Sequence, residues 1–385
     1  MRVLFVNHLL DPVSGGGTAE RTLQLARFMS KESMDCGILT LDIGDLRNSE
    51  KKLSGVPVYR LPCIYDRYFI PAPGRRSVTR LLLEYDVVHL MGHWTLLNAI
   101  VAIICLRKKK PYVVCPAGAL KNYGRSRWLK RIFDFVIGKR IIRYASAWVA
   151  VTEDEKLDFA GYGIKPKSII VIPNGVDPVD YQSQCSSKYR KELLLERRFS
   201  LDGQPYILFL GRLNKIKGPD LLLEAFATVI KTFPDLHLVF AGPDAGLMES
   251  LKVYSSTMGI AKSVHFAGYI KGDEKVNALL YASCLVIPSR EEAMSIVVLE
   301  AGMCSTPVIF TDRCGLNEFA LKGAGIEVQA NVNSIAKALI RMLSSPEQMK
   351  ESGTILNRLV RKSFSWSTQA QRYRELYKNM REFNL

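Results

Sequence analysis

An α/β protein with two parallel-sheet domains is what this sequence predicts, on three observations. Its 385 residues exceed what one hydrophobic core usually supports, since cores stop growing near ~250–300 residues. Short β-rich runs alternate with longer helical patterns: RVLFVNH, a helix over 18–31, CGILTLD, DVVHLM, a helix over 95–107, PYVVCPAG, a helix over 127–143, AWVAVT and SIIVIPNG. Strand–helix–strand at that rhythm means a parallel sheet covered on both faces. The rhythm then restarts with YILFLGRL (206–213) and runs through LHLVFAG, VHFAGYI, CLVIPS and PVIFTD, with helices over 218–232, 246–258, 273–281 and 296–303.

These patterns set the expected boundaries: a first domain over 1–178, a linker over 179–205 and a second domain over 206–366. The linker is polar and has no convincing strand, which suits a hinge with one short helix. The tail carries Tyr373, Leu376 and Tyr377 at helical spacing and is expected to pack as an amphipathic helix. Two open parallel sheets imply a ligand beyond the carboxyl ends of their strands, where the domains would face one another.

Composition narrows the class. With 48% hydrophobic and 23% charged residues, the chain is neither disordered nor fibrous. The net charge of +16 is uneven: residues 1–180 hold 27 Lys/Arg against 17 Asp/Glu, and residues 105–143 carry twelve Lys/Arg against the single acid Asp134. Such a surface attracts phosphates, whether of an anionic leaflet, a lipid diphosphate or nucleic acid. No zinc finger or aromatic RNA-binding signature accompanies it. Eight cysteines without a C-x-x-C pair point to a reducing cytosol. The start MRVLFVNHLL lacks a cleavage site, and the apolar run 96–106 is too short to span a bilayer, so it reads as a buried helix.

Four motifs fall at strand ends. SGGGTAE (14–20) follows the first strand and opens a helix near Thr18, so its amides suit an anion or form a plain glycine turn. The dinucleotide fingerprint G-x-G-x-x-G is absent. LFLGRLNKIKGPD ends a strand at Gly211 and projects Arg212 and Lys217, a fork and a point charge suited to a diphosphate. In SREEAMSIVVLEAG (289–302), Ser295 is placed to cap a helix, Glu292 falls in the preceding loop and Glu300 lies over one turn inside. A carboxylate among apolar neighbours needs a hydroxyl or cation partner, and its acceptors match paired ribose hydroxyls. In DVVHLMGHW (86–94), His89 reads as a core histidine and His93 lies just past the strand end.

Taken together, Gly211-Arg212 with Lys217-Gly218, the pair Glu292 and Glu300, the glycine loop and VIPNGVD (171–177) resemble the retaining family 4 glycosyltransferases of GT-B fold, over essentially the whole chain. The resemblance implies two Rossmann-like domains facing across a cleft, with a UDP- or GDP-sugar held by the second domain and an acceptor by the first. Arg212 and Lys217 then match the diphosphate binders, Glu292 the acid beside the donor sugar and Glu300 the ribose contact. The amides of Ser295, Ile296 and Val297 meet the phosphate, Gly211, Gly242 and Tyr269 line the donor site, and Gly15, Gly16 and Gly17 form the phosphate and acceptor loop. The tail, about 367–385, crosses back to the first domain. Two departures stand out: the usual H-x-H reads His89-Leu90-Met91, leaving His93 or His89 for the sugar site, and the usual EGFG reads EAMS (292–295).

The implied activity is a metal-independent hexosyltransferase without a bound cofactor, extending a lipid-linked or polysaccharide acceptor of a cell-surface glycan such as exopolysaccharide, lipopolysaccharide or O-antigen. It would work in the cytoplasm, peripherally at the inner face of the membrane, using basic residues 105–143. The alternative is a soluble sugar or sugar-phosphate synthase of sucrose-phosphate or trehalose type.

Overall fold

The computed structural model describes all residues except 45–52, 54, 122–125, 182–197, 200, 202 and 383–385. The expected linker 179–205 therefore lies largely outside the described residues. The chain divides into two compact units, residues 1–175 with 366–385, and residues 176–365. Residues 176–178, expected in the first domain, belong to the second unit, and Trp366 belongs to the first.

The first unit contains a seven-stranded sheet of order β3-β2-β1-β6-β7-β8-β9. Its strands are β1 Arg2–Val6, β2 Asp35–Leu41, β3 Val58–Leu61, β6 Val87–Met91, β7 Tyr112–Cys115, β8 Ala147–Ala150 and β9 Ile169–Val171, while β4 Cys63–Tyr65 and β5 Ile70–Pro71 form a small antiparallel pair. Each sheet pairing is parallel. The continuous burial of β1 at Val3–Val6 and of β6 throughout is what a sheet covered on both faces requires. The helix Leu96–Lys108 is the buried apolar run, capped by Thr95, whose side chain accepts from the Asn98 amide.

The first helix is longer than predicted. It runs Pro12–Lys31 rather than from Thr18, because Pro12 stands at its first position and the Asp11 carboxylate accepts from the amides of Val13 and Ser14. Gly16, at φ 58 and ψ −141, breaks the helical path inside it. The C-terminal helix Trp366–Glu382 packs along this first helix. There Arg21, fully buried, donates to Tyr373, to Asn174 and to the Ile172 carbonyl. Gly175 and Trp366, where the chain leaves and re-enters the unit, touch so closely that a Cβ on Gly175 would lie 2.8 Å from the Trp366 nitrogen.

The second unit is a six-stranded parallel sheet of order β12-β11-β10-β13-β14-β15. Its strands are β10 Tyr206–Leu210, β11 His237–Ala241, β12 Val264–Gly268, β13 Cys284–Ile287, β14 Val308–Thr311 and β15 Ile326–Val328. Phe209, Phe226, Phe240 and Leu339 lie in its core, with the amphipathic helix Val332–Leu343 covering one face.

Candidate active site

In the second unit, β10 and β13 are neighbours although β11 and β12 intervene in sequence. The direction of sheet growth reverses there, and a ligand is expected beyond the carboxyl ends of such a pair. Two of the motifs read from the sequence begin at those two ends: residues 211–218 after β10 and 288–295 after β13.

Glycines let the loops approach. A Cβ on Gly218 (φ 69) would lie 2.0 Å from the Pro288 carbonyl oxygen, and one on Gly242 (φ 142) 2.0 Å from the Gly211 carbonyl oxygen, so neither position admits a side chain in this arrangement. Arg290 then stitches the two loops. Its amide donates to the Ile216 carbonyl at 2.7 Å, its guanidinium to the Lys215 carbonyl at 2.7 Å and, as a fork, to both Asp220 oxygens at 2.8 Å. Burial pushes the Asp220 carboxyl up, but the bonds from Arg290 and Lys215 outweigh it and hold it below the usual carboxylate range.

On this frame Lys217 Nζ lies 2.7 Å from Glu292 Oε1, both half-buried. Ser289 Oγ donates to the other Glu292 oxygen at 3.0 Å, and the Glu292 amide donates to the Arg313 carbonyl at 2.9 Å. The carboxylate is thus held by Lys217 and Ser289, and the backbone that carries it by Arg313. Arg212 is exposed, and its guanidinium has no partner among the described residues. Ser295 takes the N-cap position of the helix Ile296–Met303 with extended backbone, but its side chain makes no capping bond. The predicted cap is therefore absent, the residue being buried. The amides of Ser295, Ile296 and Val297 have no backbone partner among the described residues, which leaves the positive end of the helix open to an anion.

Glu300, one turn further, is buried and finds the partners its setting demands. Lys275 Nζ donates to it at 2.7 Å and the Tyr181 hydroxyl hydrogen-bonds to it. Burial first, and the Glu300 charge second, raise the Tyr181 phenol, so it stays a donor. Tyr269 follows β12 and is largely exposed.

In the first unit the equivalent reversal lies between β1 and β6. After β1 come His8 and Gly15–Gly17. The amides of Val13 and Ser14 are already taken by Asp11, and the Gly15 amide donates to the Asp11 carbonyl at 2.8 Å, so the nest expected over 14–20 is partly used by its own cap. After β6 comes His93, buried, with Nε2 2.8 Å from Asp134 Oδ1. Asp134 also accepts from Trp94 Nε1 at 3.1 Å and the Tyr162 hydroxyl at 2.8 Å. Burial raises its carboxyl, and the His93 and Tyr162 bonds reverse that to a net lowering. His93 Nδ1 is buried without a hydrogen-bond partner among the described residues. His89 is a core histidine, bonded to the Tyr377 hydroxyl and ringed by Phe5 and Tyr373; burial, with Arg21 adding, depresses it to about 3.

Five residues escaped the sequence reading. Tyr181, Lys275 and the pair Asp220–Arg290 carry no local signal, because their partners are distant in sequence; Asp134, as the lone acid of 105–143, did offer one. Among the described residues no group of three or more His, Cys, Asp or Glu is arranged to hold a metal ion.

Comparison with known proteins gives two family matches, glycosyl transferases group 1 over residues 191–354 and glycosyltransferase family 4 over residues 15–180. A D-inositol 3-phosphate glycosyltransferase of Corynebacterium jeikeium is 28% identical over 63% of this chain and 59% of its own. The matched part spans between about a third and three fifths of the length of such curated relatives. Among solved structures, Anabaena Alr3699/HepE in complex with UDP and glucose superimposes with TM-score 0.83 at 18% identity, over 98% of this chain and 100% of that one. Sucrose-phosphate synthase from Thermosynechococcus elongatus gives 0.77 at 18%, over 99% of each. At those identities the likeness concerns the fold, while the two family matches together cover most of the chain. The protein belongs to the glycosyl transferases group 1 family and has the GT-B fold.

Proposed function

We propose that this protein moves a hexosyl group, with retention of configuration, from a UDP- or GDP-sugar to a lipid-linked or polysaccharide acceptor of a cell-surface glycan. The observation that carries the reading is the Lys217–Glu292 contact of 2.7 Å on a loop frame that also presents Arg212 and the open amides of 295–297. Breaking a sugar–phosphate bond leaves negative charge on the diphosphate, and preorganised cations and amides there stabilise the transition state more than the ground state. Arg212 and Lys217 supply that charge without a metal ion, Glu292 addresses the sugar, and Glu300 takes the ribose hydroxyls with Tyr181 and Lys275 fixing its carboxylate. Gly211, Gly242 and Tyr269 line the same site. Gly15–Gly17 serve the phosphate and acceptor side, and His93, with its one free nitrogen, the sugar site. Basic residues 105–143 hold the protein to an anionic leaflet, placing it peripherally at the inner membrane face.

A second reading, favoured by the relatives named for inositol 3-phosphate, is transfer to a small soluble sugar or polyol phosphate. Donor hydrolysis and transfer with a panel of UDP-, GDP- and ADP-sugars test both. Glu292→Gln and Lys217→Ala should each lower turnover about 10²–10³-fold; undiminished turnover in both contradicts the site. Turnover with a phosphorylated polyol and none with a lipid acceptor favours the second reading.

A further inference from the structure

The segment between β7 and β8 carries an apolar outer face. Its helices Arg127–Phe133 and Lys139–Arg143 are joined by a π-turn, Asp134–Gly138. On the inner side Phe133 and Ile137 pack against the core, and Ile141 and Ile142 are buried. On the outer side Trp128 (64% exposed), Ile132 (51%), Phe135 (87%) and Val136 (61%) stand in solvent. Positions 128, 132 and 135 follow helical spacing and so form one stripe about 10 Å long. A contiguous exposed aromatic and aliphatic face of this kind marks an interaction surface.

The charge around the stripe selects the partner. Arg127, Arg131, Lys139, Arg140 and Arg143 are exposed, and the one acid of the segment is withdrawn: Asp134 accepts from His93, Trp94 and Tyr162. Gly138 makes that withdrawal possible, since a Cβ there would lie 2.3 Å from the Asp134 carboxylate and 3.1 Å from His93 Nε2. An apolar stripe whose own segment exposes cations and withdraws its one acid matches the interface of an anionic bilayer, where the rings enter the acyl boundary and the cations meet phosphates. A second copy would present the same cations and be repelled.

We propose that residues 127–143 are a wedge that inserts into an anionic membrane, led by Trp128, Ile132, Phe135 and Val136, rather than a face held to it by charge alone. This goes beyond the electrostatic contact suggested above and is independent of the donor-site assignment. The π-turn also ties the wedge to the end of β6 through Asp134 and His93.

The full-length protein is mixed with vesicles of phosphatidylcholine, alone or with phosphatidylglycerol, with and without brominated acyl chains. Insertion predicts binding to the anionic vesicles that persists in about 0.5 M salt, where the Debye length is only a few ångström, and tryptophan quenching by the bromolipid that disappears in Trp128→Phe. Ile132→Ser with Phe135→Ser should lower salt-resistant binding at least about tenfold and leave donor hydrolysis unchanged, so that failure here is separable from failure of the glycosyltransferase reading. Binding that vanishes at high salt without quenching overturns the wedge in favour of charge-only adherence. Concentration-dependent self-association that Phe135→Ser abolishes, with no vesicle binding, overturns it in favour of a second copy.

Discussion

Replacing Gly218 by alanine isolates the close approach between the loops after β10 and β13. Gly218 has φ 69, and its Cβ would lie 2.0 Å from the Pro288 carbonyl oxygen. Gly259 has nearly the same φ, 70, with nothing within 4 Å of its Cβ. The left-handed conformation costs either alanine about 1–2 kcal/mol, but only Gly218→Ala must also drive two backbone segments apart, a further ~1–3 kcal/mol by the cost of overpacking. For a unit of this size the difference corresponds to roughly 3–10 °C in Tm. Differential scanning fluorimetry of the two variants measures it, and adding nucleoside diphosphate extends the test. Moving Pro288 displaces Ser289 and Glu292 with it, so ligand protection should fall in Gly218→Ala and persist in Gly259→Ala. Equal Tm losses, or equal protection, would show that the close approach of Gly218 to Pro288 does not hold the two loops in place.

Two further outcomes follow from buried contacts. Tyr181→Phe removes one of the two side chains fixing the Glu300 carboxylate; calorimetry should show affinity for the ribonucleoside diphosphate falling roughly three- to tenfold, while affinity for the 2′,3′-dideoxy analogue stays unchanged, and equal losses for both would argue against ribose recognition by Glu300. Stability should fall as pH drops from about 6.5 towards 4, because burial depresses His8 and, with His237 adding, His265 to about 4, and depresses His89 to about 3, so the unfolded chain binds protons that the folded one refuses. Urea midpoints over that range should decline less steeply in His89→Phe than in the parent, and parallel slopes would show that His89 is not one of the groups responsible.

Much of the second unit was legible because its signals are local. Gly211, Arg212, Lys217 and Glu292 follow strand ends that apolar β-rich runs mark plainly, and a parallel sheet sends its strand ends to one edge. What was hidden depends on contacts that sequence spacing does not encode. Ser295 has the chemistry of a cap, yet the tertiary packing that buries it leaves the capping bond unmade. The first helix begins at Pro12 because Asp11 and Pro12 outcompete the glycine run as a start signal. His93 was placed by its position past the strand, but its partner Asp134 comes from a π-turn, a local widening of the helix that periodicity cannot announce. The same turn explains why 127–143 read as one helix and as a basic face, when its apolar residues divide between core and solvent.

Diphosphate binding by the second unit on Arg212, Lys217 and the helix amides after Ser295 is the step on which the proposed function rests. Its most direct test compares, by calorimetry, a nucleoside diphosphate with the bare nucleoside on the parent protein and on Arg212→Met and Lys217→Met. Each variant should lose at least about tenfold in affinity for the diphosphate, the scale of one charge-assisted contact, with nucleoside affinity unchanged. Equal losses for both ligands, or none for the diphosphate, would contradict it.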